Sequence, residues 1–293
     1  MVKYDDVLEF WKDRDISNES DLRTLLDNFK IVFAYNSNKI ENEDTSYHNT
    51  REIFENGKVI NYTGDLRTLF EIQNQKECYE FLISKMISKE PITKDLILEV
   101  HRILCKGCYD ETRFSKGERP GTFKVNDYGV GDDIGAAPEE VEGEIINLCE
   151  ELKLNSNGNP LVVASYFHLT FESIHPFADG NGRVGRTLMN YYLITHNYPP
   201  TIIYDEDKKT YYMALAVFDK SDEIKGFIQF IKEETIKTWS NRITRNNITT
   251  VSGNPAAERE SVKSKIDKLL NDTSISDSAL TGSDNGLDAD INN

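Results

Sequence analysis

Twelve consecutive residues concentrate the reactive chemistry of this chain: His175-Pro176-Phe177-Ala178-Asp179-Gly180-Asn181-Gly182-Arg183-Val184-Gly185-Arg186. His175 has an ordinary pKa of about 6.5, so it can accept a proton at neutral pH. Asp179 offers an oxygen ligand suited to magnesium, which would bridge phosphates. Gly180 and Gly182 let the backbone turn tightly and approach a ligand. Arg183 and Arg186, three apart, share a face of one helical turn. Positive side chains in a first turn oppose the helix dipole. A bound polyphosphate reverses that balance, because free amides, dipole and guanidinium groups all favour it. A base, a metal carboxylate and a phosphate cradle together point to attack of a hydroxyl on a nucleotide phosphate. The bland alternative is a surface loop joining two core helices.

Two helices must hold this loop. The apolar run Leu161 to Ile174 reads as the first, and Arg183 to His196 as the second. Pro176 lacks an N–H and restricts its predecessor, so the first helix stops at the motif. The second then opens with its unpaired amides facing the loop. A metal site of His168, His175 and Asp179 would need a continuous helix, which Pro176 and the glycines break; His168 and His196 read as packed or surface histidines.

The stretch resembles the signature of the Fic family, His-Pro-Phe-x-Asp/Glu-Gly-Asn-Gly/Lys-Arg with a second arginine three residues on. The resemblance implies an all-α, Fic-type helical bundle with a small β-hairpin flap. It implies a protein adenylyltransferase that moves AMP from ATP to a Ser, Thr or Tyr hydroxyl of a target protein. By that resemblance His175 is the general base and Asp179 holds magnesium. Asn181, with the amides of Gly180 and Gly182, holds the α-phosphate, while Arg183 and Arg186 grip the β- and γ-phosphates. Phe177 anchors the loop. The phosphate-transferring branch prefers lysine where this chain has Gly182, so glycine favours AMP transfer.

An earlier helix end, Ser37-Asn38-Lys39-Ile40-Glu41-Asn42, places an acid at an unfavourable helix C-terminus. Alone it reads as a solvated end. Beside the signature it is similar to the family's inhibitory motif, Ser/Thr-x-x-x-Glu-Gly/Asn, which implies that Glu41 takes Arg186 and removes the γ-phosphate clamp. In some family members the same glutamate also aligns a water for AMP removal. A homodimer that controls Glu41 fits the family as well.

The other elements follow from periodicity. Residues 5–13 read as a short helix. A second, capped by Ser20 and Asp21, runs to about Ile40 on an apolar stripe from Leu22 to Phe33. Thr45 to Phe81 gives two helices around a turn at Gly57 to Gly64. Thr93 to Leu104 gives another, ending at Cys105-Lys106-Gly107-Cys108. That pair reads as a helix end with a buried Cys105; redox or zinc roles, the latter with His101 and Cys149, have weaker support. Glu118 to Asp133, with Thr122-Phe123-Lys124-Val125, is the candidate hairpin. The resemblance makes it a flap that docks a target protein around Gly121–Gly131 by strand addition, with Tyr128 and Val130 bordering the nucleotide. Helices are also expected from Ala136 to Lys153, Thr210 to Phe218 and Ile224 to Ile243. Tyr211 and Tyr212 resemble the pair lining the family's adenine pocket, and Asp219 stands where an asparagine is expected, which puts that base contact in question.

Three regions are expected: 1–90, helical with the inhibitory motif; 91–245, the Fic core; and 246–293, an acidic, disordered tail, in which Glu258 to Leu270 has helical character. With 34 Lys and Arg against 50 Asp and Glu, the net charge of −16 argues against nucleic acid or an anionic membrane as partner. The four cysteines and the absence of a signal-like N-terminus suggest a reducing, cytoplasmic setting. Two alternatives stand beside AMP transfer: an autoinhibited ATP-binding regulatory module with little catalysis, and transfer of phosphate or another nucleotide on the same scaffold.

Overall fold

Apolar residues at helical spacing build nearly everything in the computed structural model, which describes residues 1–130 and 133–251. The helices are α1 (Tyr4–Lys12), α2 (Glu19–Leu25), α3 (Asp27–Glu41), α4 (Tyr47–Asn56), α5 (Leu66–Ser88), α6 (Lys94–Leu104), α7 (Glu111–Ser115), α8 (Pro138–Leu154), α9 (Pro160–Ile174), α10 (Asn181–Thr195), α11 (Lys208–Ser221) and α12 (Lys225–Val251). None is long and apolar enough to cross a membrane among the described residues.

α9 and α10 form the central pair. Asn159 accepts from the amides of Leu161 and Val162, and Pro160 takes the first turn, where a missing N–H costs nothing. Every residue of α10 except Gly182 is buried, which marks it as the helix the others surround. α3, α5 and α6 pack on it, while α8 and α11 pack on α9. Trp239 of α12 joins the outer helices to this core, stacked on Phe29 and edge-on to Trp11. Met1–Ile243 are one compact unit.

Several local expectations change. The helix expected up to Ile40 is two helices, because the backbone leaves helical geometry at Leu26 (φ −93°, ψ 7°). The cap of α2 is Asn18, not Ser20 or Asp21; its side chain accepts from the Asp21 amide. Thr122–Val125 forms no strand. Gly129–Val130 and Asp133–Ile134 pair antiparallel, two residues each. Residues 131–132, with Gly131, lie outside the described residues, as do 252–293 with the helical character expected from Glu258 to Leu270.

Candidate active site

The loop between α9 and α10 is fixed from within and from behind. His175 closes α9 in the left-handed region (φ 49°, ψ 63°), its amide donating to the Phe171 carbonyl at 3.1 Å. That geometry is uncommon for a non-glycine residue and turns the chain sharply. Gly180 (φ 88°) opens α10, and a Cβ there would lie 2.5 Å from Cys105 Sγ. Asn181 staples the loop: Oδ1 accepts from the Phe177 amide at 2.9 Å and Nδ2 donates to its carbonyl at 2.8 Å. Oδ1 and one of the two Nδ2 hydrogens of Asn181 are thus committed to the loop, while the residue lines the cavity. Asn181→Ala would leave two buried backbone groups without partners. It is expected to lower the unfolding free energy by about 2 kcal/mol, read by chemical denaturation.

Behind the loop, Phe177 is fully buried and stacks on His101 with centroids 3.6 Å apart. Burial pushes His101 down to about 3, so it is neutral. Nδ1 accepts from the Gly121 amide at 2.9 Å, which leaves Nε2 to donate to the Asp179 carbonyl at 3.0 Å. Both nitrogens are spent on positioning the loop. Cys105 and Cys108 are buried beside it as free thiols, and burial pushes Cys105 up to about 12. This agrees with the reading of a buried Cys105 at a helix end.

Asp179 is gripped on both oxygens. Arg67 Nη2 donates to Oδ2 at 2.7 Å and Arg183 Nη2 to Oδ1 at 3.2 Å, while Arg113 Nη2 lies 3.6 Å from Oδ2. Burial alone would push this carboxyl up, but Arg183, Arg67 and Arg113 together hold it below the usual range. Arg183 is itself buried and also faces Glu71 at 3.3 Å. It is not among the residues that line the cavity, and its Nε and Nη1 are buried without hydrogen-bond partners. Asp179 does line the cavity and is 17% exposed. A carboxylate has about four lone-pair sites, and magnesium takes one or two carboxylates plus phosphate oxygens. Asp179 therefore fits that metal with the capacity its arginines leave.

Arg186 is met by the end of α3. Its Nη2 donates to Glu41 Oε1 at 2.7 Å and to the Ser37 carbonyl at 2.9 Å, and its Nε donates to Ser37 Oγ at 3.1 Å. Gly182 makes room for this contact, since a Cβ there would lie 2.3 Å from Glu41 Oε1.

These groups face a cavity of about 640 Å³, a volume in the range of small-molecule sites. One end holds His175, Asp179, Gly180, Asn181, Gly182 and Arg186. The first intrahelical bond of α10 is Val184 to Gly180, so the Asn181, Gly182 and Arg183 amides precede it. The side wall is one face of α11, where Tyr211, Leu215 and Asp219 follow at four-residue steps beside Tyr212, Ala216 and Lys220. Tyr211 is buried, with its hydroxyl 2.9 Å from His168 Nε2; Tyr212 is exposed on the wall. His168 is a packed histidine. Asp219 accepts from Ser173 Oγ. Tyr128 is not among the residues that line the cavity, and the Val130 side chain lies outside those described.

Burial, followed by the nearby Lys124 charge, pushes His175 down to about 4, so it is an unprotonated base at neutral pH. One turn earlier, burial pushes Glu172 up to about 8, which keeps this lining acid protonated. Sequence reasoning missed Glu172, Arg67, Glu71 and Arg113. Glu172 was visible as a lone acid in an apolar helix, and Arg67 and Glu71 as an i, i+4 pair; Arg113 had no such signal.

Residues 91–193 match the Fic/DOC family. The chain carries a domain of the Fic family. A protein adenylyltransferase Fic from Nematostella vectensis is 31% identical over 208 residues, 70% of this chain and 46% of the relative. One from Drosophila persimilis is 32% identical over 215 residues, 70% and 39%. The chain spans about half, or less, of the length of these curated relatives. A Fic-domain-containing signalling protein from Bacteroides thetaiotaomicron shares the fold at TM-score 0.70 and 24% identity, covering 82% of this chain and 95% of that one. Fic-1 from C. elegans does so at TM-score 0.67 and 23% identity, covering 84% and 72%.

Proposed function

We propose that this chain is a protein adenylyltransferase restrained by its own α3. The observation that carries the reading is the shared cavity of an unprotonated His175, the open first turn of α10 and an Arg186 held by Glu41. ATP lies with its phosphates on the amides of the α10 first turn and its base along α11, against Tyr211 and Tyr212. Magnesium on Asp179, when bound, neutralises phosphate charge. His175 takes the proton from a hydroxyl of a target protein. The hydroxyl oxygen bonds to the α-phosphorus, the bond from that phosphorus to the oxygen bridging to the β-phosphate breaks, and pyrophosphate leaves with that electron pair. Residues 121–130, which lie before the loop, are the proposed docking edge for the target. Glu41 holds Arg186 away from the γ-phosphate and keeps ATP out of line.

Glu41→Gly protein with α-labelled and, separately, γ-labelled ATP tests this. Label on protein from the α-phosphate alone is expected. Label from the γ-phosphate alone would replace AMP transfer by phosphate transfer. ATP binding without label on self or on added protein substrates would leave a sensing module.

A further inference from the structure

We propose that Arg113, outside the signature, supplies a further guanidinium on the outgoing phosphates. The inference rests on the proposed binding of ATP at this cavity. Arg183 is 2% exposed, two of its nitrogens lie 3.2 and 3.3 Å from Asp179 and Glu71, and it is not among the residues that line the cavity. The cations that do line the cavity are Arg113, Arg186 and Lys220. Lys220 sits on α11 nine residues beyond Tyr211, about 13 Å along a helix axis and thus towards the far end. Arg186 meets Glu41 and Ser37. Arg113 remains for the loop end.

Its geometry suits an anion. Asp110 caps α7 by accepting from the Arg113 amide at 2.8 Å, and its other oxygen accepts from Nη1 at 3.0 Å. The guanidinium is thereby folded back towards the loop. Nη2 lies 3.6 Å from Asp179 Oδ2, close enough for attraction but long for a hydrogen bond. Nε is buried with no hydrogen-bond partner. A buried donor of this kind is costly unless something accepts from it. A phosphate oxygen beside Asp179 would accept from Nε or Nη2 and complete the set. Arg113 and Arg186 would then bracket the β- and γ-phosphates, with the α10 amides beneath the α-phosphate.

Affinities for ATP, AMP and pyrophosphate in a Glu41→Gly, His175→Ala background test this, measured by calorimetry in EDTA so that metal on Asp179 plays no part. Arg113→Ala is expected to weaken ATP and pyrophosphate about 10- to 100-fold, the scale of one charge-assisted hydrogen bond. AMP should change less than about twofold, and Arg113→Lys should recover part of the loss. Equal weakening of all three ligands would show a structural role and overturn the proposal, as would no weakening of any. Pyrophosphate binding that depends on Arg113 without ATP binding would keep the anion site and refute the nucleotide reading. A background protein that binds none of the three refutes both.

Discussion

Glu41→Gly is expected to raise AMP incorporation about 100-fold over the parent, with the double variant Glu41→Gly, His175→Ala returning to background. The size follows from placement, since misalignment of reacting groups by about an ångström costs that much in rate. Arg186 has three donor contacts at the end of α3, one to Glu41 and two to Ser37. Glu41 Oε1 also lies against the first turn of α10, where a Cβ on Gly182 would touch it. An incoming triphosphate therefore meets a carboxylate in the place that its own negative charge needs. Glycine removes that charge and leaves Ser37 as a weaker partner. It also leaves the buried Arg186 with less compensation, so the variant should melt earlier than the parent, and ATP should restore it by binding the folded state. Initial rates with α-labelled ATP give the first readout and thermal melts the second. Equal labelling of parent and variant would remove the brake from the account.

The loop and its two helices were legible because proline, glycine and apolar spacing act locally: α9 stops before Pro176, and α10 opens on Gly180. The contact between α3 and Arg186 spans 145 residues, and only the motif resemblance pointed to it. Composition at the end of α3 agreed, since Asn36, Ser37 and Asn38 are polar yet buried, but a sequence does not display burial. The roles of the two signature arginines were not separable by spacing. Three residues apart, both share one face of a helix by spacing, yet Glu71 from α5 meets Arg183 in the interior and Glu41 meets Arg186 at the cavity. Partners distant in sequence made that choice. Thr122–Val125 forms no strand for a related reason: Lys124 and Gly121 spend their amides on Pro176 and His101, on the loop and behind it, instead of on a neighbouring strand.

His175→Ala in the Glu41→Gly background is expected to lower transfer by about 10²- to 10⁴-fold, the usual worth of a positioned general base, with ATP affinity little changed. The pH profile makes this more specific than a loss of activity. Burial and then Lys124 push His175 down to about 4, whereas Glu41 and Asp179 favour its protonated form. Removing Glu41 withdraws one of those favourable charges, so the acid limb of the unlocked enzyme should lie no higher than about 4. Transfer should therefore hold nearly level from pH 8 down to about pH 5, where a histidine at its ordinary value would already be mostly protonated. Lys124→Met removes a positive charge beside the ring, makes protonation easier and should move the limb upward. A limb near 6.5 that Lys124→Met leaves in place would mean that His175 is neither buried as described nor the group whose proton uptake carries the reaction.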